Sequence, residues 1–263
     1  MSIVGNVESL WRYPVKSMRG EQMDEAFVGF AGIFGDRLFA FRGEARPKAF
    51  PYLTGREQAT MLLYRPRFRH PEKAMKPPNW AEAENAGPGL NPVPADAADL
   101  AVEVETPSGA VLAVDDPALP RELSERLARP EGLRLLRSDK SMTDCRPVSL
   151  FSVQTARQLG DELGAEMEKR RFRANIFTDL APAAGFAENE FVGRTLRIGR
   201  RVVLSILERD ARCAMITIDP DTAERTPAIL RHVVKTHNRE AGVYGAVLVE
   251  GVVRVGDKIE AID

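Results

Sequence analysis

A few short stretches hold residues whose types and spacing could do chemistry. In "YPVKSMRGE" (residues 13–21) the Tyr13-Pro14 pair forces an extended chain, and Lys16, Ser17, Arg19 and Gly20 follow at once. A lysine, a hydroxyl and backbone N–H groups beside a glycine are the parts of a small oxyanion or phosphate cradle, and equally of a solvated strand end. "GDRLFAF" (35–41) sets Asp36 and Arg37 between apolar runs. An inward Arg37 needs an anion, supplied by a neighbouring carboxylate such as Asp36 or by a ligand. "KRRFRANIF" (169–177) has strand character toward its end. On a strand Arg173 and Asn175 share a face, a guanidinium fork beside an amide, which suits a phosphate and a heterocycle edge.

"LERDARCAMITIDPDT" (207–222) holds Cys213, one of only two cysteines in the chain. No C-x-x-C or clustered spacing exists, which excludes a zinc ribbon or an iron–sulfur cluster. Cys213 reads either as a small buried hydrophobe or as a reactive or metal-binding thiolate, favoured by Arg209 and Arg212. Cys145, in "TDCRPVS", ranks second, and Asp210 and Asp219 receive no role. His232 and His237 lie five apart on a predicted helix and miss the i, i+4 spacing of a helical metal pair, so they read as ordinary. Hydrolase, P-loop and dinucleotide-binding motifs are missing.

These residues need a scaffold. The chain has 263 residues, 44% apolar and 29% charged, enough for one large domain or two ordinary ones. A net charge of -1 argues against a nucleic-acid or membrane-coating protein. Neither a secretory leader nor an 18-residue apolar run is present, so a cytoplasmic location with no membrane partner is expected.

Val-, Ile- and Phe-rich runs bounded by Gly, Asp or Pro predict many short strands, with hairpin turns at "TPSG" and "VGDKI". Helices are predicted over 117–128, 153–163 with Ser152 as N-cap, and 227–239 with Thr226 as N-cap. On the last, Ile229, Leu230, Val233, Val234 and His237 should face inward. Residues 70–99 hold six of the 18 prolines and read as a long surface loop or an insertion, a candidate cap over a substrate entrance. The main division is expected within 120–130.

In order, "YPVKSMRGE", "GDRLFAF", "LTGREQATMLL", "FRANI", "RCAMITIDPDT" and "GVYGAVLVEG" with "VVRVGDKI" resemble the landmarks of one family. It comprises the MOSC proteins with an N-terminal MOSC β-barrel domain, among them the mitochondrial amidoxime-reducing component and bacterial YcbX-type relatives. The resemblance implies a β-rich α+β fold: an N-terminal β-barrel-like domain over 1–125 and a MOSC β-barrel domain with a few helices over 126–263. It implies a molybdenum cofactor (molybdenum with molybdopterin) between them. Cys213 is then the catalytic metal ligand, Lys16, Ser17, Arg37, Arg173 and Asn175 hold the pterin and its phosphate, and Arg212 shapes the site. The implied activity is reduction of small N-hydroxylated substrates by oxygen-atom transfer. Many YcbX-type relatives carry a ferredoxin domain that these residues lack, so electrons are expected from a separate electron-transfer reductase. Ala211 stands where many relatives have serine. The alternative is a non-catalytic cofactor carrier or a sulfur-handling module that works without pyridoxal phosphate.

Overall fold

The computed structural model describes residues 2–44, 46–86, 92–93 and 95–262. The chain opens with β1 (Ser2–Arg12), β2 (Glu21–Met23), β3 (Glu25–Gly29), β4 (Gly32–Ile33), β5 (Phe39–Gly43) and β6 (Arg65–Phe68). Next come α1 (Trp80–Ala86), β7 (Val102–Glu105), β8 (Val111–Ala113), α2 (Ala118–Glu125) and β9 (Leu133–Arg137). β10 (Val148–Ser152), α3 (Val153–Leu163), β11 (Ile176–Leu180), β12 (Thr195–Ile198) and β13 (Val202–Ala211) follow. α4 (Pro227–Thr236), β14 (Glu240–Val249), β15 (Gly251–Arg254) and β16 (Lys258–Ala261) complete it.

Seven strands close a barrel in the order β11-β10-β14-β13-β12-β16-β1, sealed by pairing of β1 with β11. Alternating burial along β12 and β13 turns Leu196, Ile198, Val202, Leu204 and Ile206 into the barrel core. Each such fully buried side chain contributes about 1.5–3 kcal/mol. Gly5 sits at the seam, where a Cβ would collide with the Asp179 carbonyl. The one parallel pair of the barrel, β10 with β11, is joined through α3 as parallel strands require. Ser152 accepts from the Thr155 N–H and caps α3.

The remaining strands form small sheets, β15-β3-β4, β5-β9 and β6-β7-β8, around a second core that includes Val15, Phe41, Leu53, Tyr64, Leu119 and Leu123. The two parts exchange strands. β1 supplies a barrel stave, while β9 and β15 return to pair with β5 and β3. The barrel and the N-terminal sheets thus share a seam, and the turn after β1 opens onto it.

Three expectations need correction. The reading of 70–99 as a loop fails at α1, where Trp80 and Ala83 are buried and Trp80 meets the Phe27 ring at 4.8 Å. Two large apolar surfaces outweigh the local density of prolines; residues 87–91 and 94 lie outside the described residues. α4 ends at Thr236, and Val234 is exposed because the inward stripe is narrower than read. "TPSG" does turn the β7-β8 hairpin, but "VGDKI" links strands of different sheets.

Candidate functional site

Where the barrel meets the N-terminal sheets lies a cavity of about 360 Å³. The seven residues that the resemblance assigns to the site line it, Lys16, Ser17, Arg37, Arg173, Asn175, Arg212 and Cys213, whereas Arg19 and Gly20 of the same first stretch do not. None of the described residues of 70–99 lines it.

Several of these side chains are aimed by unusual backbone. Ser17, Arg37, Arg173 and Arg239, all lining the cavity, have φ of 66°, 46°, 52° and 69°. Non-glycine residues in this left-handed region cost energy and mark places where surrounding structure dictates the geometry. "FRAN" is accordingly not strand: Lys169–Phe172 is a 3-10 turn, Arg173 caps it, and β11 begins at Ile176. Arg173 and Asn175 still reach the cavity, by way of the turn.

Tyr13, treated in the sequence only as part of a Tyr-Pro pair, is the pivot. The Arg37 and Arg173 guanidinium carbons lie 4.6 and 4.2 Å from its ring centroid. Its hydroxyl donates to the Ala174 carbonyl at 3.1 Å, and burial pushes its pKa up to about 12. Arg37 donates to Asp36 at 2.5 Å and to the Arg173 carbonyl at 3.1 Å. Burial opposes its charge, but Asp36 more than compensates and the pKa is raised. Arg173 has no carboxylate partner among the described residues, its Nη2 is buried without a hydrogen bond, and burial lowers its pKa to about 10.

Lys16 is buried and donates to the Met142 carbonyl at 2.7 Å and to Asp144. Burial lowers its pKa, while Lys16 in turn keeps the Asp144 carboxyl low against the burial cost. Asn175 is committed inside the protein. Its Oδ1 accepts from Ser149 Oγ at 3.3 Å and its Nδ2 donates to the Trp11 carbonyl at 3.3 Å, tying β10 and β1 together.

At the end of β13, Arg212 is buried, donates to the carbonyls of Phe172 and Ala241 at 2.8 and 2.6 Å, and pairs with Asp210 at 2.8 Å. Its Nη2 is left without a partner. Cys213 follows in extended backbone at the head of the Ala214–Thr217 turn. The charges expected to act on its sulfur are matched elsewhere, Arg212 by Asp210 and Arg209 by Glu240. Cys145 lines the same cavity but donates its thiol proton to Glu208 at 3.1 Å; burial and that carboxylate raise its pKa.

Asp210, given no role from sequence, is buried on the cavity wall beside Tyr244 and Arg212. Burial raises its pKa to about 6 in spite of both partners. Its position before "ARC" was the available signal; its burial was not readable. Asp219 lies off the cavity, paired with Arg171 at 2.7 Å.

Two family models match: the MOSC domain over residues 137–260 and the MOSC N-terminal beta barrel domain over residues 4–75. The chain is a MOSC-domain protein with an N-terminal MOSC β-barrel domain. Membership is consistent with binding a molybdenum cofactor. No functionally curated protein matches the sequence. Among solved structures, the YuaD protein from Bacillus subtilis is 15% identical over 98% of this chain and 96% of its own, with a TM-score of 0.47. YiiM from Geobacillus stearothermophilus is 15% identical over 44% of this chain and 54% of its own, at 0.36. YiiM from Escherichia coli is 16% identical over 45% and 55%, at 0.35. In this MOSC protein no helix among the described residues is long and apolar enough to cross a membrane.

The residues present fit the cofactor that membership suggests. Lys16, Arg37, Arg173 and Arg212 bring one ammonium and three guanidinium side chains to the lining of one cavity, the donor types that a phosphate takes. Cys213 offers a soft sulfur on the same wall, the ligand type such metals take.

Proposed function

We propose that this MOSC protein binds the molybdenum cofactor in the cavity and reduces small N-hydroxylated compounds to the amine or amidine. The observation that supports the reading is that all seven residues implied by the family resemblance line one cavity. Bound, the cofactor supplies two-electron oxygen-atom transfer, with electrons from a separate reductase.

The chain's own residues do the rest. Lys16, Ser17, Arg37, Arg173 and Arg212 would hold the cofactor's pterin and phosphate, and Cys213 would ligate the metal. Asn175 ties β10 to β1 at the cavity wall. Losing an N-hydroxyl oxygen as water consumes two protons and two electrons. Asp210, at a pKa of about 6, can hold a proton at its carboxyl near neutral pH and release it within the cavity.

The test is turnover of an amidoxime or hydroxylamine by protein from a cofactor-making host, driven by an artificial reductant, in wild type and Cys213→Ala. Turnover in wild type and its loss in the variant are expected. Bound cofactor without turnover in wild type would favour the carrier reading, and retained turnover in Cys213→Ala would refute the ligand assignment.

A further inference from the structure

Away from the cavity, Glu162 at the end of α3 meets two histidines, His232 within α4 and His237 just past its end. Nε2 of His232 lies 2.6 Å and Nε2 of His237 2.7 Å from the same carboxylate oxygen, Oε2. One ligand atom from each residue lies within 4.8 Å of the other two.

Positions five apart on a regular helix point about 140° from one another, which is why the sequence spacing argued against a pair. The helix ends first. His237 follows the last residue of α4 with φ -125° and ψ 29°, and both imidazoles reach Oε2. Gln158, one turn before Glu162, donates to Oε1 at 2.7 Å and leaves Oε2 to the histidines. Phe186 stacks on the His237 ring at 3.9 Å and fixes its plane. The three side chains keep 22, 15 and 24% of their exposure, so an ion and its water can enter.

We propose that Glu162, His232 and His237 bind a divalent transition ion of the zinc class. Two imidazole nitrogens and one carboxylate oxygen are a donor set such ions take, and three protein ligands leave a position for water. Metal–ligand distances of about 2.0–2.2 Å put neighbouring tetrahedral ligand atoms roughly 3.3 Å apart, so the present contacts need open by less than about 1 Å. The ion takes the place of the imidazole protons that now face Oε2, and Gln158 remains the outer partner that orients the carboxylate. It would tie α3 to the end of α4, two residues before Arg239. Arg239 Nε donates to the Arg212 carbonyl at 2.7 Å, and the Arg212 N–H donates to the Arg239 carbonyl at 2.7 Å. The clasp therefore braces the backbone just before Cys213.

Zinc titration of chelator-treated, dialysed full chain by calorimetry tests this. One ion per chain with a micromolar Kd is expected, kept in a Cys145→Ser/Cys213→Ser double variant. His237→Gln, His232→Gln and Glu162→Gln, checked for folding by circular dichroism, should each weaken binding at least tenfold. Cobalt in the same site should show no thiolate-to-metal charge-transfer band. The proposal falls if zinc does not saturate the chain below about 1 mM, if the cysteine variant loses the ion, or if the folded histidine and glutamate variants bind as wild type does.

Discussion

Arg37 and Arg173 share one aromatic support, the Tyr13 ring, yet the protein treats their charges in opposite ways. Arg37 is matched by the buried carboxylate of Asp36, which also accepts from the Tyr13 N–H at 2.8 Å. Arg173 has no carboxylate partner among the described residues and a buried nitrogen without an acceptor. Their pKa values diverge accordingly, raised for Arg37 and lowered to about 10 for Arg173. Arg37 brings its counter-ion with it, whereas in the proposed reading Arg173 takes its counter-ion from the bound ligand.

The contrast breaks most visibly at Asp36. Asp36→Asn should cost about 3–5 kcal/mol, because it leaves the Arg37 charge buried without a counter-ion; urea unfolding reads it. A loss below 1 kcal/mol would mean that Arg37 is as free as Arg173. Asp210 gives the next largest effect, and its sign follows from linkage. Its folded pKa, about 6, stands above the ordinary 3.8, so the folded chain binds the extra proton. Wild type should therefore lose stability relative to Asp210→Asn as pH rises from about 4 to 6, by roughly 3 kcal/mol at most, and stay level above that. Melting of both proteins across that window checks it. Arg173→Met gives the smallest change in the empty fold, within about 1 kcal/mol, since no ion pair is broken. The same substitution should weaken retention of an anionic ligand by about 1.5–3 kcal/mol, or some tenfold to a hundredfold, read by dialysis. Comparable damage from Arg173→Met and Asp36→Asn to the empty fold would erase the distinction.

What the sequence made legible follows the same line. Strand runs and the Ser152-capped helix were readable because local patterning carries them, whereas the cavity residues came from the family resemblance, since local pattern left each of them a purely structural reading. The interleaving of β1, β9 and β15 was not, since strand exchange rests on pairings far apart in the chain. α1 was hidden by prolines, its helix held by burial of Trp80 against Phe27. Asp210 and the Glu162 cluster were missed for related reasons. A carboxylate's burial and a histidine's turn beyond a helix end are tertiary facts.

The most direct measurement is the molybdenum and pterin content of wild type and Cys213→Ala, purified from a host that makes the cofactor. The account predicts near-stoichiometric molybdenum and pterin in wild type, with metal lost or its spectrum altered in the variant. Neither molybdenum nor pterin in either protein would contradict it and return Cys213 to the role of a small apolar residue on an unused cavity wall.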